Sequence, residues 1–175
     1  TIGLARRVGK TGRVCATDIR ETPVRETLRR ARRAGLSNVF ADRQSGLDRP
    51  PAPGRYDGVL VDAPCSGLGT WGRSPDARWR IRETDLAEKA GLQAQLLDAA
   101  AHAVVPGGVL VYSVCTLTRA ETTEATRAFM QAHPEFQPDP FRHPLDTARV
   151  APEAWILPDQ GPCGGMFIAR WRRGK

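Results

Sequence analysis

Neither a metal centre nor a disulfide framework has the spacing it needs in this chain. Cys15, Cys65, Cys115 and Cys163 lie far apart, no Cys-x-x-Cys pair occurs, and the three histidines are not clustered. That excludes the usual zinc patterns and leaves free thiols in a reducing compartment as the expectation, each of them by default a small buried hydrophobe. No apolar run approaches the roughly 20 residues that a membrane helix requires, and no signal-peptide pattern is present. A cytoplasmic monomer with no membrane association and no metal is expected. Low-complexity tracts and internal repeats are also missing. What remains is an ordinary globular composition, 41% hydrophobic and 26% charged, over 175 residues, read as one domain spanning residues 1–175.

The charge is not balanced. The formal net charge is +7, carried almost entirely by arginine. A basic surface of this kind favours a polyanionic partner, nucleic acid first, although it also fits a merely soluble protein.

Strand and helix patterns alternate along the chain. Residues 1–8 are helix-compatible and run into the turn Gly9-Lys10-Thr11-Gly12, which looks like the tail of a phosphate loop but has Leu4 where that loop needs glycine. Residues 13–16 read as a strand ending at Thr17-Asp18, and residues 23–34 as a helix with Val24, Leu28 and Ala31 on one face and Gly35 as its stop. Its arginines read as a solvated face. A third element, residues 39–41, ends at Asp42. Residues 43–55, with Pro50, Pro51 and Pro53, form a loop. Residues 56–61 are a short apolar run suited to a strand buried on both faces. Residues 85–104 are the clearest helix, with Asp85 and Glu88 as a capping pair and Pro106-Gly107-Gly108 ending it. Residues 109–113 form a further strand leading to Cys115, and another helix starts at Thr118 or Arg119. Short strands near 154–157 and at 166–171 close the chain. This alternation predicts an α/β, doubly wound, mostly parallel sheet with helices on both faces and a hairpin of strands at the end.

Asp18, Asp42, Asp62 and Cys115 all fall at the carboxyl ends of predicted strands, the edge where ligands bind in open α/β sheets. Asp18 can hold a ribose or serve as a helix N-cap. Pro64 stops its strand and fixes Cys65 on a turn. Cys115, between a strand and a helix start, is positioned for a lowered thiol pKa, and a second rim cysteine beside an acid points to catalysis. The two cysteines are expected to face one substrate. His102, His133 and His143 fall away from this rim, so no protease-type dyad is indicated. In residues 68–82, Arg73, Arg78 and Trp79 with Trp71 interleave cations and aromatics, which either tracks a phosphate backbone and stacks bases or simply anchors a surface loop.

Four ordered motifs carry a family resemblance: Asp62-Ala63-Pro64-Cys65-Ser66-Gly67, the run Arg73-Ser74-Pro75-Asp76-Ala77-Arg78-Trp79, Pro106-Gly107-Gly108 before Tyr112-Ser113-Val114-Cys115-Thr116-Leu117, and Gly165-Met166-Phe167-Ile168-Ala169-Arg170. Together they resemble the RsmB/Sun (Fmu) family of RNA 5-methylcytosine methyltransferases over nearly the whole chain. The resemblance implies a Rossmann-like class I methyltransferase sheet with an antiparallel last strand, S-adenosylmethionine as cofactor, and RNA (rRNA or tRNA) as partner. It implies that Cys115 adds to carbon 6 of cytosine, Asp62 holds or protonates ring nitrogen 3, and Cys65 aids product release. Asp18 and Asp42 take the cofactor ribose and the neighbourhood of its adenine, with Asp62 also at the cofactor, and Arg73, Arg78 and Trp79 meet RNA. Val114 stands where the family usually has threonine, and Gly164 where aspartate often precedes Gly165. The family's first strand and glycine-rich cofactor loop are expected before Thr1, so the chain reads as starting one element late. Two other readings are a non-catalytic RNA-binding fragment and a DNA cytosine-5 methyltransferase in which the Pro-Cys thiol attacks.

Overall fold

The computed structural model describes residues 1–44, 47, 52–160 and 163–175. Two units are distinguished, Thr1–Pro50 and Pro51–Lys175. The predicted loop over residues 43–55 falls partly outside the described residues, Pro50 and Pro51 among them.

The first unit comprises α1 (Ile2–Arg7), β1 (Val14–Asp18), α2 (Glu21–Arg33) and β2 (Val39–Arg43), with β1 and β2 paired in parallel. Val24 and Ala31 lie on the buried face of α2, while Glu26 ties the exposed Arg29 and Arg30 at 2.7 Å each. Surface pairs of this kind contribute little stability, so the apolar stripe does the packing. Its core is Ala5, Ala31 and Val39, with Ile2, Val14 and Leu36 against it. The stop anticipated at Gly35 is realised as a left-handed residue (φ 66°), with Gly35 N–H on Arg32 O and Leu36 N–H on Ala31 O, both at 3.0 Å. This double return of carbonyls to donors closes the helix without orphaned groups. Cys15 is exposed, because β1 turns it away from the small core.

The second unit holds β3 (Tyr56–Asp62), α3 (Glu83–Ala103), β4 (Val104–Val114), α4 (Thr123–Ala132), β5 (Phe136–Pro138), β6 (Phe141–Arg142), β7 (Val150–Ala151), β8 (Glu153–Ile156) and β9 (Met166–Arg173). Its sheet runs β3-β4-β9-β5, with β8 also on β9; β3 and β4 are parallel, and β9 is antiparallel to its neighbours. β6 and β7 form a separate two-stranded pair. Leu110, Tyr112 and Val114 of β4 alternate inward against Phe167, Ala169 and Trp171 of β9, with Leu97, Ala100 and Ala101 of α3 and Phe129 of α4 completing the core. The terminal hairpin expected from the pattern is the β8–β9 pair.

Four local expectations change. The strand at 56–61 is covered on one face only: Val59 and Val61 pack on the core, but Leu60 is 50% exposed, because α3 shields just the inner side of β3. The long helix starts at Glu83, so Asp85 occupies its third position and accepts Arg82 N–H at 2.9 Å instead of opening the helix. β4 begins at Val104, directly where α3 ends, so Pro106-Gly107-Gly108 lies within the strand, which is irregular there. Finally, α4 begins at Thr123, because Thr116, Thr118 and Glu121 are engaged in a side-chain network that competes with helical backbone bonding.

Candidate active site

Sheet register delivers the two cysteines. Val61 pairs with Tyr112 and Asp62 with Ser113, so the parallel strands β3 and β4 end at the same height, and Ala63 N–H continues the ladder to Ser113 O at 3.1 Å. The chains then turn over one edge. Cys65 Sγ and Cys115 Sγ come to 3.3 Å, fifty positions apart in sequence. Asp62 ends β3 on the exposed side of the same edge.

The pair is electrostatically unequal. A hydrogen bond from Cys65 is the largest influence on Cys115; burial opposes ionisation, the Cys115 backbone N–H favours it, Asp62 opposes it and Arg73 favours it, leaving the thiol pushed down to about 6. The same hydrogen bond, then burial, pushes Cys65 up, so it stays the protonated donor. Because α4 starts eight residues beyond Cys115, the helix terminus is not what activates this thiol; its neighbour and Arg73 are. Alkylation of Cys115 by iodoacetamide is therefore expected to be half-maximal near pH 6 and to rise with pH, since the thiolate is the reactive form, while Cys65 resists. Cys65→Ala removes the donor and should move that midpoint toward the ordinary value of about 8.5. An unchanged midpoint would refute the coupling.

The neighbouring loops are locked to the same edge. Gly69 N–H donates to Cys115 O at 3.0 Å and Gly165 N–H to Gly69 O at 2.7 Å, so the turn after Cys65 is clamped between the Cys115 loop and the start of β9. Arg73, Leu68, Gly72, Pro158 and Cys163 line a cleft beside this clamp. Trp79 is 78% exposed with the Arg78 guanidinium 4.6 Å from its ring centroid, an outward stacking surface.

Asp18 and Asp42 belong to the first unit, on paired strands where Thr17 meets Asp42 and Asp18 meets Arg43. Arg20 is the N-cap residue of α2, and Asp18 instead accepts Arg20 N–H at 2.8 Å and its guanidinium at 3.2 Å, which holds the carboxyl below its usual range. Asp42 is exposed within β2.

Sequence reasoning missed Glu121. It is fully buried, accepts Ser66 N–H and Thr118 Oγ1–H at 2.8 Å and Gln93 Nε2–H at 3.1 Å, and takes a short hydrogen bond from Ser66 Oγ. Thr116 Oγ1 lies 3.1 Å away. An acid trailing the hydroxyl-rich run Thr116-Leu117-Thr118 was the available signal, hidden because that stretch reads as helix. Among the described residues there is no group of three or more His, Cys, Asp or Glu that could hold a metal, and no helix is long and apolar enough to cross a membrane.

The family model described as 16S rRNA methyltransferase RsmB/F matches residues 1–172. The chain belongs to the 16S rRNA methyltransferase RsmB/F family. It is 44% identical over 83% of its length to ribosomal RNA small subunit methyltransferase B of Thermus thermophilus, and 35% identical over 99% to ribosomal RNA small subunit methyltransferase F of an Enterobacter species. It spans 35% and 37% of those RsmB/F relatives. The crystal structure of PH0851 superposes with a TM-score of 0.86 at 31% identity, covering 94% of this chain and 38% of that one. NSun6 from Pyrococcus horikoshii with SFG gives 0.78 at 23% identity, covering 98% and 44%, a likeness of fold. The α/β class expected from the strand–helix alternation is thereby the Rossmann-like methyltransferase fold.

Proposed function

We propose that this RsmB/F chain transfers a methyl group to carbon 5 of cytosine in RNA, ribosomal RNA first, through a covalent adduct on Cys115. The observation that carries this reading is the convergence of two thiols on one sheet edge, with sulfurs 3.3 Å apart, Cys115 pushed down and Cys65 pushed up. Carbon 5 of cytosine is a poor nucleophile until a group adds at carbon 6, so the chemistry needs a thiolate for attack and a means of expelling it afterwards.

Cys115 thiolate forms the sulfur–carbon 6 bond, and Asp62, on the same edge, donates a proton to ring nitrogen 3, which neutralises the negative charge developing on the ring. S-adenosylmethionine, when bound, supplies the methyl group. Within the first unit, Asp18 Oδ2 keeps one lone pair beside the three bonds from Arg20 for a ribose hydroxyl, and Asp42 is an exposed acceptor. Asp62 is an exposed acceptor of the second unit. After transfer, the carbon 5 proton passes to solvent water, the electron pair of that bond re-forms the ring double bond, and the sulfur–carbon 6 bond breaks with its pair returning to Cys115 as thiolate. Cys65 assists this step, because its S–H donates to the departing Cys115 sulfur. A DNA-type reaction with Cys65 as attacking group is disfavoured, since the hydrogen bond to Cys115 and then burial push that thiol up. The target base must leave its stack, which costs a few kcal/mol and least in single-stranded RNA. Exposed Trp79 with Arg78, and Arg73 beside Cys115, supply stacking and charge for that strand. The setting that fits is cytoplasmic.

The test is to incubate the intact protein with ribosomal RNA and labelled S-adenosylmethionine. Cys65→Ala is expected to accumulate a protein–RNA adduct stable in denaturing gels, and adding Cys115→Ala should abolish it. An active Cys65→Ala enzyme without adduct sinks this role for Cys65.

A further inference from the structure

We propose that Glu121 is a positioning residue that ties the Cys65 loop to the Cys115 loop and so sets the separation of the two sulfurs. The proposal deepens the two-thiol reading above and rests on it for its catalytic meaning, but not for its geometry.

A carboxylate without solvent has to be satisfied by hydrogen bonds or it neutralises. Glu121 is 0% exposed, and among the described residues its side-chain partners are neutral. Burial works against its charge, but the Ser66 hydroxyl and N–H, then Thr118 and Gln93, more than offset that, holding the carboxyl below its ordinary value. The donors are not a random shell. Ser66 follows Cys65, Thr116 follows Cys115, and Thr118 stands two residues further on; Ser66 Oγ and Thr116 Oγ1 are themselves 2.7 Å apart. Gln93 of α3 donates both to Glu121 and to Pro64 O at 3.0 Å, directly before Cys65. Tyr112, in the strand that delivers Cys115, donates its hydroxyl to Glu121 O at 2.8 Å. One carboxylate thus joins both loops that follow the cysteines to a helix, and the backbone carbonyl of the same residue ties it to the central strand. Such a link fixes a sulfur–sulfur distance better than two loops anchored separately.

Glutamine can replace the carboxylate here. Its carbonyl oxygen keeps Ser66 N–H and Gln93, while the amide N–H donates to hydroxyls that rotate to accept. Alanine leaves Ser66 N–H and one of the two Gln93 amide hydrogens without the carboxylate, and both loops lose their common anchor.

The experiment measures two properties of the thiols, with neither RNA nor cofactor present. The first is the pH midpoint of Cys115 alkylation. The second is the rate of Cys65–Cys115 disulfide formation with hydrogen peroxide, which oxidises the Cys115 thiolate to a sulfenic acid with release of hydroxide; the Cys65 thiol then displaces that oxygen as water. Glu121→Ala, shown to be folded by circular dichroism, is expected to raise the midpoint by about one pH unit and to slow disulfide formation about tenfold or more. Glu121→Gln is expected to stay within about threefold of wild type. If Glu121→Ala does not fold, Ser66→Ala with Thr118→Val removes two donors while keeping the carboxylate, and disulfide formation at least about threefold slower is expected. Wild-type midpoint and rate in the folded alanine or double variant, or a glutamine variant as impaired as alanine, overturns the proposal. In the methylation assay Glu121→Ala should lower kcat with KM little changed. Absence of cytosine methylation in the wild-type protein would overturn the functional reading and leave the thiol measurements to decide the tie by themselves.

Discussion

Cys115→Ala is expected to lower kcat for methyl transfer to RNA by about 10⁴-fold or more, the scale on which removing a covalent nucleophile acts. No described group can substitute for it. Cys65 is the nearest sulfur, but its hydrogen bond to Cys115 and then burial push its thiol up, and in the variant the burial persists. RNA affinity should change little, because Arg73, Arg78 and Trp79, the residues proposed to meet the strand, are untouched. The loss therefore belongs in kcat, read in a single-turnover assay with labelled methyl donor. Methylation at the wild-type rate in Cys115→Ala would remove this residue from the chemistry and with it the adduct mechanism.

Gly69→Ala should be the most damaging single methyl in the second unit. A Cβ at that position would lie 1.9 Å from Gly165 O and 2.5 Å from Gly165 C, backbone atoms that cannot swing aside as a side-chain tip would. Either the start of β9 moves or the turn carrying Gly69 does, and both are held by short bonds, Gly165 N–H to Gly69 O at 2.7 Å and Gly69 N–H to Cys115 O at 3.0 Å. The expected cost is about 3 kcal/mol, or a fall in Tm of roughly 6–12 °C. Gly91→Ala in α3 is the opposing control: nothing lies within 4 Å of its Cβ position, so it should be stabilising by about 0.5–1 kcal/mol. Equal melting temperatures for wild type and Gly69→Ala would remove the close approach from the account of the site.

Much of the site could be read before the fold was known, for reasons that differ residue by residue. Pro64 stops a strand wherever it occurs, so Cys65 was legible as a turn residue at a carboxyl edge. Cys115 was legible because a buried apolar run has to end before a polar turn. The source of its activation was not. A helix at Thr118 was the local expectation, whereas hydroxyls bonding to Glu121 delay α4 to Thr123, and the thiol is tuned instead by Cys65 and Arg73. Leu60 was read as buried because an apolar triplet says nothing about which face a helix covers.

Residue order alone determined the alternating elements, the cysteines at strand ends and the family motifs, because periodicity, proline and glycine act over a few neighbours. Only the tertiary structure decided that the sulfurs meet at 3.3 Å, that one thiol is pushed down and the other up, and that a carboxylate six positions past Cys115 binds the two loops together. These depend on the register of β3 against β4, which pairs Val61 with Tyr112 and Asp62 with Ser113, an alignment across the chain that no local preference encodes.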